Sequence, residues 1–453
     1  LYAPEWSAPT PHPDRLVLTL SGDPSTSFSV TWRTDTTITA SYAEIAEATP
    51  APNFWLTARR LTARTEPLDA REIQRAERAA HYHSATFTGL QPNTLYAYRV
   101  GDGQRWSEWT QTRTASDQPE PFSFLYVGDA QNQILELWSR LIREGFRTQP
   151  DARFILHAGD LINRAHSDSE WHEWFQAGSF IHSMVPSIPL PGNHEYDRYQ
   201  DGEGERRLSV QWRPQFTLPE NGPAGLERLR ETAYYMDYQG VRLVVLNSNL
   251  LHEEQALWLD QVLADNPNPW TLLSFHHPVY SASIRRDNPE LRALWKPVID
   301  RHGVDLVLQG HDHSYARGTD RQPGPDAPTP VGRVNVVDGV NMRDASASSG
   351  DSSSAASGAS DSTGTVYVVS VSGAKMYNLR PNGWEDFEAT RIRGAENTQL
   401  FQRISVSGDT LRYESYTATR ELYDAFTLIK GANGRNRIIE HSPLPPEYRL
   451  GEP

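Results

Sequence analysis

Cysteine is absent from the 453-residue chain. Its absence removes disulfide staples, thiol nucleophiles, iron–sulfur clusters and Cys-type zinc sites together. Any metal must then be held by His, carboxylate or amide groups. Long apolar runs are lacking too: none approaches the roughly 20 residues needed to cross a bilayer, so no membrane span and a soluble protein are expected. Positive charge is in deficit, with 43 Lys and Arg against 57 Asp and Glu. The net charge of −14 argues against nucleic-acid binding, which needs a basic face to displace counterions. Its plain reading is a solvated acidic surface. The sequence opens on Leu1, not Met. That leads to the expectation of a removed N-terminal segment and an extracellular or periplasmic location.

What is present suffices for packed cores: 38% apolar residues, 10% aromatic, 13 of them Trp. The length exceeds one hydrophobic core and predicts two domains. Leu16 to Leu20 reads as a short strand before the turn Gly22-Asp23-Pro24. Phe28, Val30 and Trp32 alternate with Ser29 and Thr31, the period of a half-buried strand. Gly89 to Val100, with Leu90 and Pro92 before Thr94, Tyr96, Tyr98 and Val100, resembles the tyrosine corner of fibronectin type III sandwiches. An all-β domain is therefore expected at 10–117. From Pro121, strand-length apolar runs (122–127, 154–157, 241–246, 270–275, 304–308) alternate with helical spacing (134–146, 251–263, 289–301). This predicts an α/β domain over 118–435, its sheet covered on both faces. Residues 344–364, nearly all Ser, Ala, Gly and Asp, read as a long mobile loop, and 436–453 as a C-terminal tail. A hairpin about Gly408-Asp409 is expected to close the second sheet.

Five strand ends share one pattern of apolar residues, a tight Gly or turn, then Asp, Asn or His. They are Val127-Gly128-Asp129, Ala158-Gly159-Asp160, Gly192-Asn193-His194-Glu195, Phe275-His276-His277-Pro278 and Gln309-Gly310-His311-Asp312-His313. Open α/β sheets gather functional groups outside the carboxyl ends of their strands. The pattern predicts that Asp129, Asp160, Asn193, His276, His311 and His313 meet in one crevice. His311 and His313, two apart on an extended segment, are expected to face one side. Two carboxylates, an amide and three imidazoles suit a pair of first-row metals.

On these residues the sequence resembles the calcineurin-like metallophosphoesterases, and in particular their purple acid phosphatase branch, over nearly the whole chain. The resemblance implies an α/β (α+β) four-layer sandwich of two mixed sheets flanked by helices, behind a fibronectin-like domain. It implies a dinuclear centre in which Asp160 bridges, Asp129 and His313 bind the first metal, and Asn193, His276 and His311 bind the second. It makes His194 the acid that stabilises phosphate and the leaving group, so Asp160 and His194 become the catalytic pair. The implied reaction is hydrolysis of small phosphate monoesters by in-line attack of a metal-bound hydroxide.

Two positions depart from the pattern. The branch places Tyr three residues after the bridging Asp, where this chain has Asn163, and other members place His two after the first Asp, where it has Gln131. Gln131 and Asn163 thus become candidate oxygen ligands. Without a tyrosinate, two divalent ions against two carboxylates leave a formal charge of +2, and a trivalent ion would be less compensated. The expectation is a divalent pair (Mn, Fe or Zn, with Mg or Ca at the first site), no violet colour, and a pH optimum near or above neutral. Arg285 and Arg286 lie where the branch puts substrate-contacting residues and are candidate phosphate clamps; Tyr315, Arg317, Trp171, His172 and Trp174 are weaker candidates. The competing readings are a phosphodiesterase using the same centre and a noncatalytic adhesion protein. The sequence leaves the oligomeric state open.

Overall fold

The computed structural model describes residues 4–68, 79–198, 205–320, 362–431 and 436–449. Most of the expected loop at 344–364 lies outside them. In the N-terminal segment, Tyr42–Glu47, Arg59–Thr62, Leu95–Gly101 and Thr110–Arg113 form one antiparallel sheet. Asp14–Thr19, Phe28–Thr34, Ala80–Phe87 and Arg64–Leu68 form the facing layer. Phe28, Val30, Trp32, Phe87, Tyr98 and Val100 share the core between them. The tyrosine corner is present: Tyr96 Oη accepts from Gln91 N at 2.8 Å.

Phe28–Thr34 departs from its half-buried pattern, because all seven residues are buried. The face carrying Ser29, Thr31 and Arg33 is covered by later parts of the chain. Thr31 Oγ1 donates to Gln215 O. Arg33 pairs with Asp14 at 2.6 Å and with Asp168 at 3.4 Å, and Arg15 reaches the same Asp168 at 2.8 Å. Burying guanidinium groups is tolerable only with such partners. Thr19 also pairs in parallel with Ser187, so the N-terminal layer continues edge to edge into the next sheet. The boundary expected near 117 separates chain segments that share one sheet.

Among the described residues that sheet has twelve strands. Beyond Asp14–Thr19 come Ser187–Pro189, Ile155–His157 and Phe122–Val127, all parallel, and then the hairpin Leu400–Ser407 and Thr410–Thr417. A second sheet of seven strands centres on Val241–Val245, Trp270–Ser274, Leu306–Gln309 and Val366–Val369, again parallel. One face of the second sheet (Leu243, Val245, Leu272, Leu306, Leu308) shares a core with Phe122, Phe124 and Ile404 of the first. Its other face (Val244, Leu273, Val307) packs under the helices His252–Ala264 and Pro289–His302. The helices Ser139–Thr148 and Asp168–Gly178 cover the outer face of the first sheet through Leu141, Ile142, Trp171 and Trp174. The result is the expected helix–sheet–sheet–helix order.

Two expectations need correction. The Gly408-Asp409 hairpin joins the first sheet instead of closing the second, because Ile404 pairs with Phe124 beside Phe122–Val127. Of the expected tail 436–453, the described residues 436–449 pack onto the domain: Asn436–Glu440 is a strand paired with Leu422–Lys430, and Tyr448 stacks on Tyr423 with ring centroids 4.9 Å apart. Among the described residues no helix is long and apolar enough to cross a membrane.

Candidate metal centre

The five strand ends converge as expected. Tight turns aim their side chains: Asp129, Asp160, His311 and His313 all hold positive φ, at 47°, 51°, 75° and 49°. Such a backbone is costly for non-glycine residues and marks a shape held by its surroundings. Glycines let the turns touch. A Cβ on Gly192 would stand 2.1 Å from Asp160 Oδ1, and one on Gly310 would stand 2.5 Å from Asp129 Oδ2.

Two groups of side chains result, sharing Asp160. Asp129, Asp160 and His313 form one, and Asp160, His276 and His311 the other, with the ligand atoms of each group within 4.8 Å of one another. His276 Nδ1 donates to Ala158 O at 2.8 Å, which turns Nε2 toward Asp160 Oδ2 at 3.1 Å, Asn193 Oδ1 at 3.2 Å and His311 Nδ1 at 3.2 Å. His313 Nδ1 likewise donates to Lys375 O at 2.9 Å, leaving Nε2 for the interior, 3.7 Å from Asp129 Oδ1. Fixing one imidazole nitrogen so that the other presents its lone pair is the usual support of a metal-ligating His. His311 and His313 do not face one side, as expected, but serve different groups, because the left-handed turn replaces an extended segment.

Gln131 sits in the first group, fully buried, with Nε2 2.9 Å from Asp160 Oδ2 and 3.0 Å from His313 Nε2. Its Oε1 is buried and accepts no hydrogen bond among the described residues. Half a turn of the amide would present that oxygen to the same ring. Carboxylate oxygens, imidazole lone pairs and an orphaned amide oxygen converge with few donors among them, which is the chemistry of a cation cage. The electrostatics agree. Burial would lower His276, but Asp160 and Asp129 outweigh it and raise its pKa to about 9. Burial also pushes Asp129 well up, while at Asp160 the same effect is overcome by His276 and His194, which hold it down. Burial takes His313 down to about 3, so its imidazole stays neutral.

His194 lies alongside: its N donates to Asp160 Oδ1 at 2.8 Å, and its Nδ1 to Asn163 O at 2.6 Å. Asn163 is joined to the site by this carbonyl; its side chain makes no hydrogen bond among the described residues. Arg286 Nη2 donates to His311 Nε2 at 2.7 Å and His311 O at 2.9 Å, and its Nε to Asp312 Oδ1 at 3.2 Å. Arg285, by contrast, is exposed and makes no hydrogen bond or ion pair among the described residues. Tyr315 and Arg317 are not site residues, since both are buried against Asp424 at 2.6 Å. Trp171 and Trp174 belong to the core, and His172 packs edge-on against Trp6.

Sequence reasoning gave no role to Glu195, although it quoted the residue. Buried beneath the Asp160 turn, its carboxylate accepts from Asp160 N, Leu161 N, Ile162 N and Gly192 N at 2.7–3.3 Å. Burial and the neighbouring Asp160 push its pKa up to about 8 against these donors. Also missed was Asp312, whose buried Oδ2 accepts from Ser281 Oγ, Ala282 N and Ser283 N and so ties the 281–286 loop to the His311 turn. Its place between two histidines was the available signal.

Comparison with known proteins agrees with this geometry. Residues 13–114 match the family described as "Purple acid Phosphatase, N-terminal domain", and residues 122–315 match "Calcineurin-like phosphoesterase". Purple acid phosphatase 15 of Arabidopsis thaliana is 28% identical over 274 residues, 52% of this chain and 49% of that protein. Fe(3+)-Zn(2+) purple acid phosphatase 12 of the same plant is 25% identical over 259 residues, covering 53% and 52%. The chain thus spans about half the length of these curated relatives. In fold it is similar to the purple acid phosphatase PPD1 of yellow lupin (Lupinus luteus) seeds, with a TM-score of 0.72, 17% identity and coverage of 93% and 75%. The chain belongs to the calcineurin-like phosphoesterases, in the purple acid phosphatase-like branch that carries this N-terminal domain.

Proposed function

We propose that this protein is a metal-dependent phosphoric ester hydrolase that releases phosphate from small organic monoesters. The observation that carries the reading is the pair of side-chain groups that share Asp160, with His194 at their edge. Asp129, Asp160, His313 and Gln131 would hold one cation, and Asp160, Asn193, His276 and His311 the other. When bound, such a pair supplies a lowered water pKa and neutralises phosphoryl charge. Asn163 stays a candidate ligand through its side-chain oxygen.

The remaining work falls to the chain's own groups. His194 Nδ1 is committed to Asn163 O, so Nε2 is the nitrogen left to meet the departing oxygen as donor. Glu195 fixes the backbone of the Asp160 turn and of Gly192, and His194 N donates to the Asp160 carboxylate, so the site is organised before substrate arrives. With Asn163 where a tyrosinate would stand, the two groups carry only two protein carboxylates. We therefore assign a divalent pair, no violet colour and an optimum near or above neutral pH. The test is hydrolysis of p-nitrophenyl phosphate against its bis-ester, with Mn²⁺ or Zn²⁺ supplied. Faster turnover of the monoester supports the reading, faster turnover of the bis-ester assigns a phosphodiesterase, and no turnover of either with no metal uptake overturns both.

A further inference from the structure

Residues 373–377 follow the strand Val366–Val369 and pass the site without joining a sheet. Ala374 and Met376 line a separate cavity of ≈ 540 Å³ with Arg140 and Tyr448. Lys375 and Tyr377 instead meet His313. Its Nδ1 donates to Lys375 O at 2.9 Å, Tyr377 N donates to His313 O at 2.9 Å, and the Tyr377 and His313 rings lie 4.9 Å apart. Two cations share the Tyr377 ring, with the Arg286 guanidinium carbon 5.0 Å and Lys375 Nζ 5.6 Å from its centroid. An aromatic face attracts each of them but does not remove their mutual repulsion. The carboxylate within reach, Asp312, already accepts three hydrogen bonds on Oδ2 and gives only Oδ1 to Arg286. The Lys375 ammonium makes no ion pair or hydrogen bond among the described residues, and the half-buried residue is anchored by its carbonyl, which accepts from His313. Paired cations at the rim of a phosphate site, one without a counter-ion, are complementary to an oxyanion additional to the one under attack.

We propose that Lys375 and Arg286, carried on the Tyr377 ring, form a rim subsite for a second oxyanion of the substrate. Phosphate monoesters bearing a further carboxylate or phosphate are then the preferred class. The inference rests on the monoesterase reading above and names the substrate class of that same site. No motif in the sequence pointed to it, since Lys375 and Tyr377 belong to none of the five strand ends.

The test is a matched pair of esters, 3-phosphoglycerate and glycerol 3-phosphate, which differ by a carboxylate in place of a hydroxymethyl group. With Mn²⁺ supplied, the wild type favours 3-phosphoglycerate in kcat/KM by about tenfold or more, expressed chiefly in KM. Lys375→Ala shrinks that ratio about tenfold, and Lys375→Arg restores most of it. Equal losses on both esters, or an unchanged ratio, would overturn the subsite. Calorimetric binding of the two esters to the Mn²⁺-supplied protein decides independently of turnover. If the wild type hydrolyses neither these esters nor p-nitrophenyl phosphate the monoesterase reading fails, while preferential binding of 3-phosphoglycerate that disappears in Lys375→Ala still upholds the subsite, and equal binding rejects it.

Discussion

Glu195 accepts four backbone N–H groups beneath the Asp160 turn, and replacing it with Ala leaves those buried donors without partners. A loss of about 3 kcal/mol is expected, since each unsatisfied buried donor costs roughly 1–3 kcal/mol and water recovers part of it. Chemical denaturation of Glu195→Ala, with Glu195→Gln retaining more of the stability, checks it. His194 predicts the opposite balance: His194→Ala lowers kcat about 10²–10⁴-fold and leaves metal content unchanged. His276 sets a pH dependence. Its folded pKa of about 9 lies above the ordinary 6.5. Its contribution to the stability of the metal-free protein is therefore complete below about 6.5 and lost as pH rises through about 9. A cation competes with that proton, so uptake releases protons at pH 7 and affinity climbs with pH up to about 9. Titration calorimetry in buffers of different ionisation enthalpy should give unequal heats; equal heats would contradict this. At this scale the strand-end motifs announced the Asp, Asn and His set. Nothing local distinguished Arg286 from Arg285, because their roles divide on a single positive φ at Arg285.

Turns between elements matter as much as the elements they join. Gly192→Ala would drive a Cβ to 2.1 Å from Asp160 Oδ1 and 2.5 Å from Asp160 N, displacing the carboxylate common to both side-chain groups. Metal uptake and turnover should both collapse. Gly408→Ala meets nothing within 4 Å and suffers only its positive φ, a cost of about 1 kcal/mol with activity kept. Melting and metal analysis of the two variants separate the cases. Periodicity alone located the helices His252–Ala264 and Pro289–His302 and the five strand ends, since each buries one continuous stripe or run. It could not place the Leu400–Ser407 hairpin, whose apolar alternation fits either sheet and whose partner, Phe122–Val127, is distant in sequence.

Among the described residues, the N-terminal layer and the strands Ser187–Pro189, Ile155–His157 and Phe122–Val127 are one sheet, joined at Thr19–Ser187 and locked by Asp168 between Arg15 and Arg33. Asp168 opens the helix whose Glu170 accepts from Asn163 N and Arg164 N, so the joint also supports the loop after Asp160. Asp168→Ala leaves the buried Arg15 guanidinium without a carboxylate partner, while Arg33 keeps Asp14, and a loss of about 3 kcal/mol is expected. Burial would raise the Asp168 carboxyl, but Arg15 and Arg33 hold it below its ordinary range. Its stabilisation is thus present at neutral pH and lost as pH falls through the depressed folded value. Calorimetry should show the two segments melting in one transition that splits in Asp168→Ala. The joint was illegible in the sequence because Ser29, Thr31 and Arg33 look like the solvent face of an ordinary sandwich strand.

The central claim is that Asp160 belongs to both of two cation-holding groups, and metal stoichiometry after dialysis against Mn²⁺ tests it most directly. The account predicts two ions per chain in the wild type, one in His313→Ala and none in Asp160→Ala, with p-nitrophenyl phosphate hydrolysis lost in both variants. A wild type that binds no ion, or an Asp160→Ala variant that keeps two, would contradict it.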